Sequence, residues 1–528
     1  GRSVGAEQEL WYERTFTVPA KWSGRRVLLH FGAVDWKTDV WVNGIAVGSH
    51  TGGFTPFAFD ITKALAKNGN TLRVRVWDPT EKSYQPRGKQ SDKPEGIWYS
   101  SVSGIWQTVW LEAVPQRYIR EVRTTPDLDR KRFLVEAPLS EAVPGDLVEV
   151  VLCDGETQVA AGRALNGAPV ELSVAEPKLW SPDTPFLYDL KVTLRHDGRI
   201  VDQVRSYTAM RKFSTGRDRH NVPRLMLNDK PLFQFGPLDQ GWWPDGLYTA
   251  PTDEALAYDV VKTKELGYNM IRKHVKVEPA RWYYHCDKAG IIVWQDMVNG
   301  GGAYPMWYVT YLTNALQPLM RHAPDGKLLW GFLGRGSAHS REEYARELAD
   351  TVAALGRHPC IGCWVPFNEG WGQFDARKAT ETLRALDPSR PVDEASGWFD
   401  RGGGNVHSIH NYFYPLRIRP NMRTVALSEY GGIAWPMPGH EPPRRAYGYG
   451  TAKSRAELTA RWKKLQLETV LPQLKKGLSA LVYTQVSDVE DEVNGLFTYD
   501  RTAIKPDAAA VRAVNEALEA EFEKAVKA

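Results

Sequence analysis

Two glutamates each follow an apolar, strand-like run of residues. Glu369 ends the run "WVPFNE", and Glu429 lies near the end of "TVALSEY". An interior strand has no structural need for a carboxylate, whereas a strand that opens into a cleft can use one for chemistry. Two carboxylates that face one pocket are the requirement for glycoside hydrolysis, in which one protonates the leaving oxygen and the other acts as nucleophile or as base towards water.

The elements that would bring these glutamates together begin near residue 214. From there to the end of the chain, eight strand-like runs alternate with helical segments. The pairs Ser340 with Glu343 and Ser454 with Glu457 are typical of helix capping boxes. This alternation predicts a (β/α)8 barrel, in which active sites lie where the strands end. The fourth and seventh strands would therefore place both glutamates at one mouth.

The segments before residue 214 have a β pattern. Residues 1–113 contain alternating runs such as "TDVWVNGIAVG", which are divided by Gly, Asn and Pro turns. Residues 114–213 form a second β block, whose length and even strand spacing suggest an immunoglobulin-like sandwich. We therefore predict three domains, with the barrel over residues 214–528.

The composition is that of an ordinary globular protein, with 42% hydrophobic residues, 25% charged residues and a formal net charge of +4. This small charge gives no support for a nucleic-acid or membrane partner, and no stretch of 18 apolar residues predicts a transmembrane helix. The 20 Trp and 22 Tyr suit either stacking on sugar rings or large aromatic cores. No signal peptide is visible, and the first residues already follow a strand pattern, so the natural start could be missing and the location stays open, with a lean towards secretion or the periplasm.

The cysteines are too few for a disulfide scaffold. They are Cys153, Cys286, Cys360 and Cys363. The last two form a C-x-x-C motif, but the surrounding "HPCIGCWVPF" is strand-like, and side chains three apart on a strand point to opposite faces. We therefore expect these cysteines to pack in the core, and we predict no metal site and no cofactor.

The segment "RHPCIGCWVPFNEGWGQ" resembles the acid/base signature of glycoside hydrolase family 2. Six residues match at the expected spacing: Arg357, His358, Pro359, Trp364, Asn368 and Glu369. "ALSEYGG" resembles the nucleophile strand of that family, and the two β blocks resemble its jelly-roll sugar-binding domain and its immunoglobulin-like domain. The resemblance covers essentially the whole chain and implies a retaining, exo-acting β-glycosidase that forms a covalent glycosyl-enzyme intermediate.

The resemblance also implies a role for individual residues. Glu369 would be the proton donor and later the base, and Glu429 would be the ionised nucleophile, with their carboxyl groups about 5–5.5 Å apart as retention requires. Asn368 would hydrogen-bond the 2-hydroxyl of the sugar. Arg272 would keep the nucleophile ionised and oriented, and Tyr412 would support it.

Three segments depart from the usual motifs of the family at positions that border the sugar. "RKHVKVEP" stands in place of Arg-x-x-His-Tyr-Pro after the second strand, "GPLDQGWWPDG" ends the first strand, and "VYTQVSD" on the eighth offers no tryptophan. These segments and their neighbours supply further candidate sugar contacts: His274, Asp239, Gln240, Trp242, Trp243, Asp296, His410, Tyr483 and Gln485.

These departures leave the sugar at the non-reducing end, the glycone, open. A galactoside-type sugar is the leading interpretation, and the alternatives are a furanoside such as galactofuranose or arabinofuranose, a glucuronide or a mannoside. No clear Asn-x-Lys pair of the kind that glucuronidases use is present. A non-catalytic carbohydrate-binding protein is a different class of function, and the presence of both glutamates argues against it. No partner other than carbohydrate is predicted, and a homo-oligomer is left open.

Overall fold

A computed structural model of the chain describes residues 4–440, 442 and 444–527, apart from the side chain of Pro318. The chain divides into two compact units, each formed from several segments. The first unit comprises Gly1–Pro79, Ser103–Lys212 and Ala353–Pro359. The second comprises Thr80–Val102, Phe213–Val352 and Cys360–Ala528. No helix in the described part of the chain is long and apolar enough to cross a membrane.

The first unit contains two antiparallel β-sandwiches, each with its own apolar core. Strand Leu147–Asp154 shows how the sequence builds them, because its alternation directs Val148, Val150 and Leu152 inwards. The strands of the first sandwich are Glu9–Phe16, Arg26–Phe31, Val34–Asp35, Lys37–Val42, Ile45–Thr51, Phe57–Asp60, Asn70–Trp77, Gly104–Ile105 and Val109–Val114. Those of the second are Arg123–Asp127, Arg132–Glu136, Leu147–Asp154, Thr157–Leu165, Val170–Ser173, Tyr188–His196 and Arg199–Thr208.

The second unit is built on a parallel sheet of seven strands that curls into a barrel. In chain order the first four barrel strands are Gln234–Asp239, Met270–Lys273, Ile292–Asp296 and Ile361–Val365. The sixth, seventh and eighth are Val406–Asn411, Thr424–Gly431 and Leu478–Thr484. The eighth strand pairs with the first, as expected for a closed barrel. A short antiparallel sheet of three strands precedes the barrel and consists of Phe213–Arg217, Pro223–Leu227 and Lys230–Pro231.

The predicted fifth strand, "RPVDEAS", is not a continuous strand. It joins the fourth strand by two isolated parallel bridges, Trp364 with Val392 and Asn368 with Ser396. Towards the sixth strand, side chains replace part of the backbone ladder, since Ser408 Oγ donates to an oxygen of Asp393 at 2.9 Å. The eight predicted strand positions are thus present, but one of them is held by bridges and polar side chains.

Helices follow most of the barrel strands, as the alternation predicted. The α-helices are Asp253–Glu265, Ala280–Ala289, Thr313–Ala315, Gln317–Met320, Ala338–Leu355, Ala376–Leu386, Arg455–Lys464, Leu471–Leu474 and Ala508–Lys527, with π-helical turns at Trp307–Leu312 and Leu465–Val470. The cap at Ser454 is confirmed, since Ser454 Oγ accepts from Glu457 N at 3.2 Å, while the Glu457 side chain accepts from Lys453 N at 2.9 Å. The predicted cap at Ser340 is wrong, because that helix already begins at Ala338 and Ser340 Oγ donates to Tyr84 O instead.

Residues Thr80–Val102 lie within the first β block in sequence but belong to the barrel unit in space. Their strands Gln90–Ser91 and Tyr99–Ser100 pair in parallel. The backbone N–H groups of Arg87 and Gly88 both donate to Asn299 O, at 2.9 and 2.8 Å. The predicted division into three domains does not include this exchange, which brings a segment from outside the barrel sequence to the barrel.

A buried ion network lies at the ends of the first two barrel strands. Lys273 Nζ is 2.5 Å from an oxygen of Asp239 and 2.9 Å from an oxygen of Glu278, which also accepts from Lys276 Nζ at 2.9 Å. All four residues are buried, and the two cations balance the two anions. Because buried charges are tolerated only when they are paired, each of these residues depends on the others.

We expect Lys273→Met to lower the free energy of unfolding of the barrel by about 3–5 kcal/mol, since it leaves the carboxylates of Asp239 and Glu278 buried with less compensating charge. Urea unfolding followed by near-UV circular dichroism measures the change. Lys82→Met is the control, because it removes an exposed ion pair with Asp92 and should cost less than about 1 kcal/mol. Equal effects of the two substitutions would contradict the interpretation.

Candidate active site

The two glutamates predicted to do chemistry meet at the carboxyl ends of the barrel strands. Glu369 follows the fourth strand and Glu429 lies near the end of the seventh, and both are buried. One oxygen of each, together with Nδ1 of His410, forms a group whose atoms all lie within 4.8 Å of one another. The backbone of Glu369 is in the left-handed region (φ +50°) and is held by its N–H, which donates to Ser396 O at 2.9 Å.

Arg272 is the residue that connects most of this site. Its guanidinium is fully buried and donates to Glu429 Oε1 at 3.1 Å and to Ser428 O at 3.0 Å. It also donates to both oxygens of Asp296, at 2.9 and 3.0 Å, and to Asn368 Oδ1 at 2.8 Å. Burial opposes its charge, but Asp296 and Glu429 raise the pKa of Arg272 above its usual value, so it stays a cation.

Tyr412 holds the second oxygen of Glu429. Its hydroxyl donates to Glu429 Oε2 at 2.8 Å and lies 2.8 Å from the hydroxyl of Thr484. Its ring stacks on Tyr449 with 3.8 Å between the ring centroids. Burial raises the pKa of Tyr412 well above its usual value, so the phenol keeps its proton and remains a donor. Glu429 therefore receives one hydrogen bond at each oxygen.

Glu369 has a different set of neighbours. His410 Nδ1 lies 2.8 Å from Glu369 Oε1 and 3.5 Å from Glu429 Oε2, and its Nε2 lies 2.9 Å from Ser396 Oγ. Burial lowers the pKa of His410 to about 4, so the imidazole is neutral near pH 7. A neutral imidazole has one donor and one acceptor nitrogen, so His410 fits either protonation state of Glu369 by a change of tautomer, with the Ser396 hydroxyl reversing at the other nitrogen.

The electrostatics of the two glutamates differ accordingly. Burial raises the pKa of Glu369 to about 7, and the positive charges of Lys89 and Arg272 oppose the rise. Burial and the neighbouring Glu369 raise the pKa of Glu429, and the positive charge of Arg272 opposes the rise. Hydrogen bonds to the charged form of a group favour that form. The cationic donor Arg272 therefore makes Glu429 the more readily ionised glutamate of the pair.

His274 and Asp296 form a second layer of this site. His274 Nδ1 lies 2.8 Å from Asp296 Oδ2, and both side chains are buried. Burial lowers the pKa of His274 well below its usual value, so its ring is neutral. Its Nε2 and the amide nitrogen of Asn368 are buried without a hydrogen-bond partner among the described residues. Such atoms are costly in the free protein and suit a polar ligand.

The other predicted sugar contacts fall into two groups, side chains with an unpartnered polar atom and side chains whose polar atoms bond other protein groups. Gln485 Nε2 donates to Asn494 at 2.8 Å, while its Oε1 has no partner in the described part of the chain. Both side-chain polar atoms of Gln240 are buried and likewise unpartnered. Asp239 and Trp242 are engaged within the protein, because Asp239 bonds Lys273 and Gly241 N and Trp242 Nε1 donates to Ser100 O at 3.3 Å.

A sugar contact of Asp239 or Trp242 stays a prediction, and the polar atoms of both already have partners within the protein. Trp242 is also fully buried and packs against Tyr99 and Tyr248. The spacing of the motif placed Asp239 at the end of a barrel strand correctly. The spacing did not indicate which charged side chain would form an ion pair with Asp239.

Sequence reasoning missed several residues of the site. Lys89 lies in the segment Thr80–Val102, and Glu492 follows the eighth strand, where it accepts hydrogen bonds from Tyr99 and Asn494. None of these residues belongs to a motif of fixed spacing. In the structure the preceding Gly88 lies at φ +62°, where a Cβ would come 2.6 Å from Val275 O, and the only trace of this close approach in the sequence is the glycine itself.

The cysteines of the second unit pack in the core, as expected for Cys360 and Cys363, which are fully buried. Among the described residues, the group that could hold a metal ion by its geometry is Glu369, His410 and Glu429. These three side chains are the ones already described in the candidate active site. In the structure hydrogen bonds hold the two carboxyl groups, between His410 and Glu369 and from Tyr412 to Glu429.

Comparisons with known proteins agree with this arrangement. The family model described as "Glycosyl hydrolase 2 galactose-binding domain-like" matches residues 3–109, and the model "Glycosyl hydrolases family 2" matches residues 117–211. A β-galactosidase of Thermoanaerobacter pseudethanolicus is 25% identical over 82% of this chain and 55% of its own length, and one of Klebsiella pneumoniae is 27% identical over 82% and 40%. The chain thus spans about half the length of these curated relatives.

Solved structures share the fold over nearly the whole chain. A β-glucuronidase of Bifidobacterium dentium, complexed with coumarin-3-O-glucuronide, superposes with a TM-score of 0.74 at 20% identity and covers 96% of this chain and 88% of its own. A putative β-galactosidase of Bacteroides fragilis superposes with a TM-score of 0.71 at 18% identity, over 95% and 76%. Two domains of the chain, residues 3–109 and 117–211, thus match glycoside hydrolase family 2, and the solved structures share the fold of the chain.

Proposed function

We propose that this chain is a retaining, exo-acting β-glycosidase that removes a terminal, non-reducing sugar of galactoside type from an oligo- or polysaccharide. The observation that carries the proposal is the buried pair Glu369 and Glu429, whose nearest oxygens lie within 4.8 Å. Retaining enzymes hold such a pair about 5–5.5 Å apart so that one carboxylate reaches the anomeric carbon directly, whereas inverting enzymes leave room for water at about 6.5–9.5 Å.

In the first step, an oxygen of Glu429 forms a bond to the anomeric carbon while the bond to the leaving oxygen breaks. Glu369 transfers its proton to that oxygen, which its pKa of about 7 allows near neutral pH. Arg272 and Tyr412 fix both oxygens of Glu429, so the nucleophile is oriented before the substrate arrives.

In the second step, a water molecule attacks the anomeric carbon, Glu369 takes its proton, and the ester bond to Glu429 breaks. Esterified Glu429 carries no charge, so the pKa of Glu369 falls and its carboxylate becomes an effective base. The free amide nitrogen of Asn368 supports its predicted role, because its Oδ1 is held by Arg272 and its Nδ2 remains available to donate to the 2-hydroxyl of the sugar.

The names of the relatives bear on the glycone. Several curated relatives are named β-galactosidase, which supports the galactoside reading, while a relative from Paenibacillus borealis, 25% identical over 73% of this chain, is named β-glucuronidase. A glucuronide is therefore the second candidate. A screen of chromogenic β-pyranosides and furanosides, including the galactoside and the glucuronide, tests the proposal, and hydrolysis of none of them would overturn it.

We expect azide to distinguish the two glutamates. In Glu369→Ala, a substrate with a good leaving group should still form the glycosyl-enzyme, and azide should then restore turnover as the β-glycosyl azide. In Glu429→Gly, azide should replace the missing carboxylate and yield the α-glycosyl azide. Nuclear magnetic resonance of the anomeric proton identifies the products, and the reverse pattern would exchange the two roles.

The pKa of Glu369 predicts the pH dependence of the first step. A general acid must be protonated, so kcat/KM should fall as the pH rises through about 7. A dinitrophenyl glycoside needs little protonation and should lose most of this fall. Glu369→Ala is the control, because it should be slower by about 10²–10⁴-fold on substrates with poor leaving groups and should not show the fall in kcat/KM near pH 7. If the fall near pH 7 persists in Glu369→Ala, another group causes it.

A further inference from the structure

A lysine from outside the barrel sequence reaches the mouth of the barrel. Lys89 belongs to the segment Thr80–Val102, and only 4% of its surface is exposed. Its backbone oxygen accepts from Tyr99 N at 3.0 Å, and the preceding Gly88 donates to Asn299 O. Since Gly88 approaches Val275 too closely for a Cβ, the backbone that carries Lys89 is fixed on both sides.

The ammonium group of Lys89 has aromatic neighbours, and no carboxylate in the described part of the chain lies within 4.0 Å of it. Its Nζ lies 5.4 Å from the ring centroid of Tyr99 and 5.6 Å from that of Trp371. No described residue forms a hydrogen bond or an ion pair with this Nζ. Buried lysines are ordinarily paired with an acceptor. A buried ammonium group near two rings and without such a partner is therefore suited to a ligand that supplies the acceptor.

The charge of Lys89 acts on the residues of the site itself. It lowers the pKa of Glu369 and of Glu429, which opposes the larger effect of burial. It also lowers the pKa of His274, in the same direction as the larger effect of burial. Arg272 lowers the pKa of Glu369 in the same way, and Glu492 raises it. The geometry that places Lys89 at this mouth is its contact with the ring of Trp371, which follows Glu369 closely in sequence, and Lys89 forms no ion pair within 4.0 Å with either glutamate.

Two neighbours of Lys89 also present unused polar atoms. The rings of His274 and Trp371 lie 6.0 Å apart, and His274 Nε2 and Trp371 Nε1 are buried without a partner in the described ranges. Because His274 Nδ1 is engaged by Asp296, the neutral ring offers Nε2 as an acceptor. Two donors and one acceptor thus converge on one edge of the mouth, which matches the mixed chemistry of sugar hydroxyl groups.

We propose that Lys89 is a sugar-binding residue, whose ammonium donates hydrogen bonds to oxygen atoms of the glycone, with His274 and Trp371 completing this edge of the pocket. The inference rests on the proposed function, and it adds a binding group that the barrel motifs do not contain. The oxygen acceptor is either a hydroxyl group of a neutral sugar or the carboxylate of a uronic acid, and the two arms of the experiment distinguish them.

The test compares Lys89→Met and Lys89→Arg with the wild-type chain on 4-nitrophenyl β-D-galactopyranoside and 4-nitrophenyl β-D-glucuronide. Lys89→Met should lower kcat/KM by about 10–100-fold on the hydrolysed substrate, the loss expected for one hydrogen bond to a charged group. Lys89→Arg should recover part of it. Lys93→Met is the matched control on the same segment, because Lys93 is exposed and should leave kcat/KM unchanged.

The comparison of substrates identifies the acceptor. A loss on the galactoside assigns a hydroxyl group, and a larger loss on the glucuronide assigns a carboxylate. Calorimetric titration with galactose and with glucuronic acid separates binding from an effect on the acid, because a residue that only tunes Glu369 would shift the pH profile without weakening sugar binding. Activity within about threefold of wild type, or a pH shift alone, would overturn the inference.

The kinetic and calorimetric measurements together separate the inference from the proposed function. If the wild-type chain hydrolyses a substrate and Lys89→Met is unaffected, the inference fails and the proposed function stands. If the wild-type chain hydrolyses neither substrate, titration still decides, since sugar binding that is lost in Lys89→Met supports the inference. Absence of binding to both sugars overturns it.

Discussion

The buried guanidinium of Arg272 is the interaction on which the rest of the site depends. It joins Asp296, Asn368 and Glu429, which come from the ends of the third, fourth and seventh barrel strands. A buried cation is tolerated only when it is fully paired, so its partners must come together before its charge is accommodated. The contacts that assemble the site therefore also join the third, fourth and seventh strands of the barrel to the second.

The two carboxyl groups differ because their donors differ. Both are buried, which raises the pKa of each. Glu429 receives a cationic donor and a phenol, whereas Glu369 meets the neutral imidazole of His410. Two carboxyl groups in one low-dielectric site can then hold different protonation states, as the proposed double displacement requires. The fold produces this difference in protonation, because the barrel strands place Arg272 and Tyr412 beside Glu429 and His410 beside Glu369.

The barrel does not provide the whole mouth. Residues Thr80–Val102 interrupt a β-sandwich in sequence and contribute Lys89 and Tyr99 to the barrel unit. Their attachment runs through the backbone at Asn299 and through Glu492, on the loops after the third and eighth strands. Loop positions of this kind vary more easily than barrel strands, so under the proposed function they are suited to set which sugar is accepted.

The sequence by itself determined the alternation of strands and helices, the barrel, and the placement of Glu369, Glu429 and Arg272 at strand ends, because periodicity and motif spacing are short-range properties of the chain. Tertiary structure alone decided that Asp239 would pair with Lys273, that the fifth strand would be held by bridges, and that Thr80–Val102 would join the barrel unit. Those outcomes depend on which charges and backbone groups meet across long sequence separations. A buried ion takes the partner that packing brings to it, and no local pattern of residues encodes that choice.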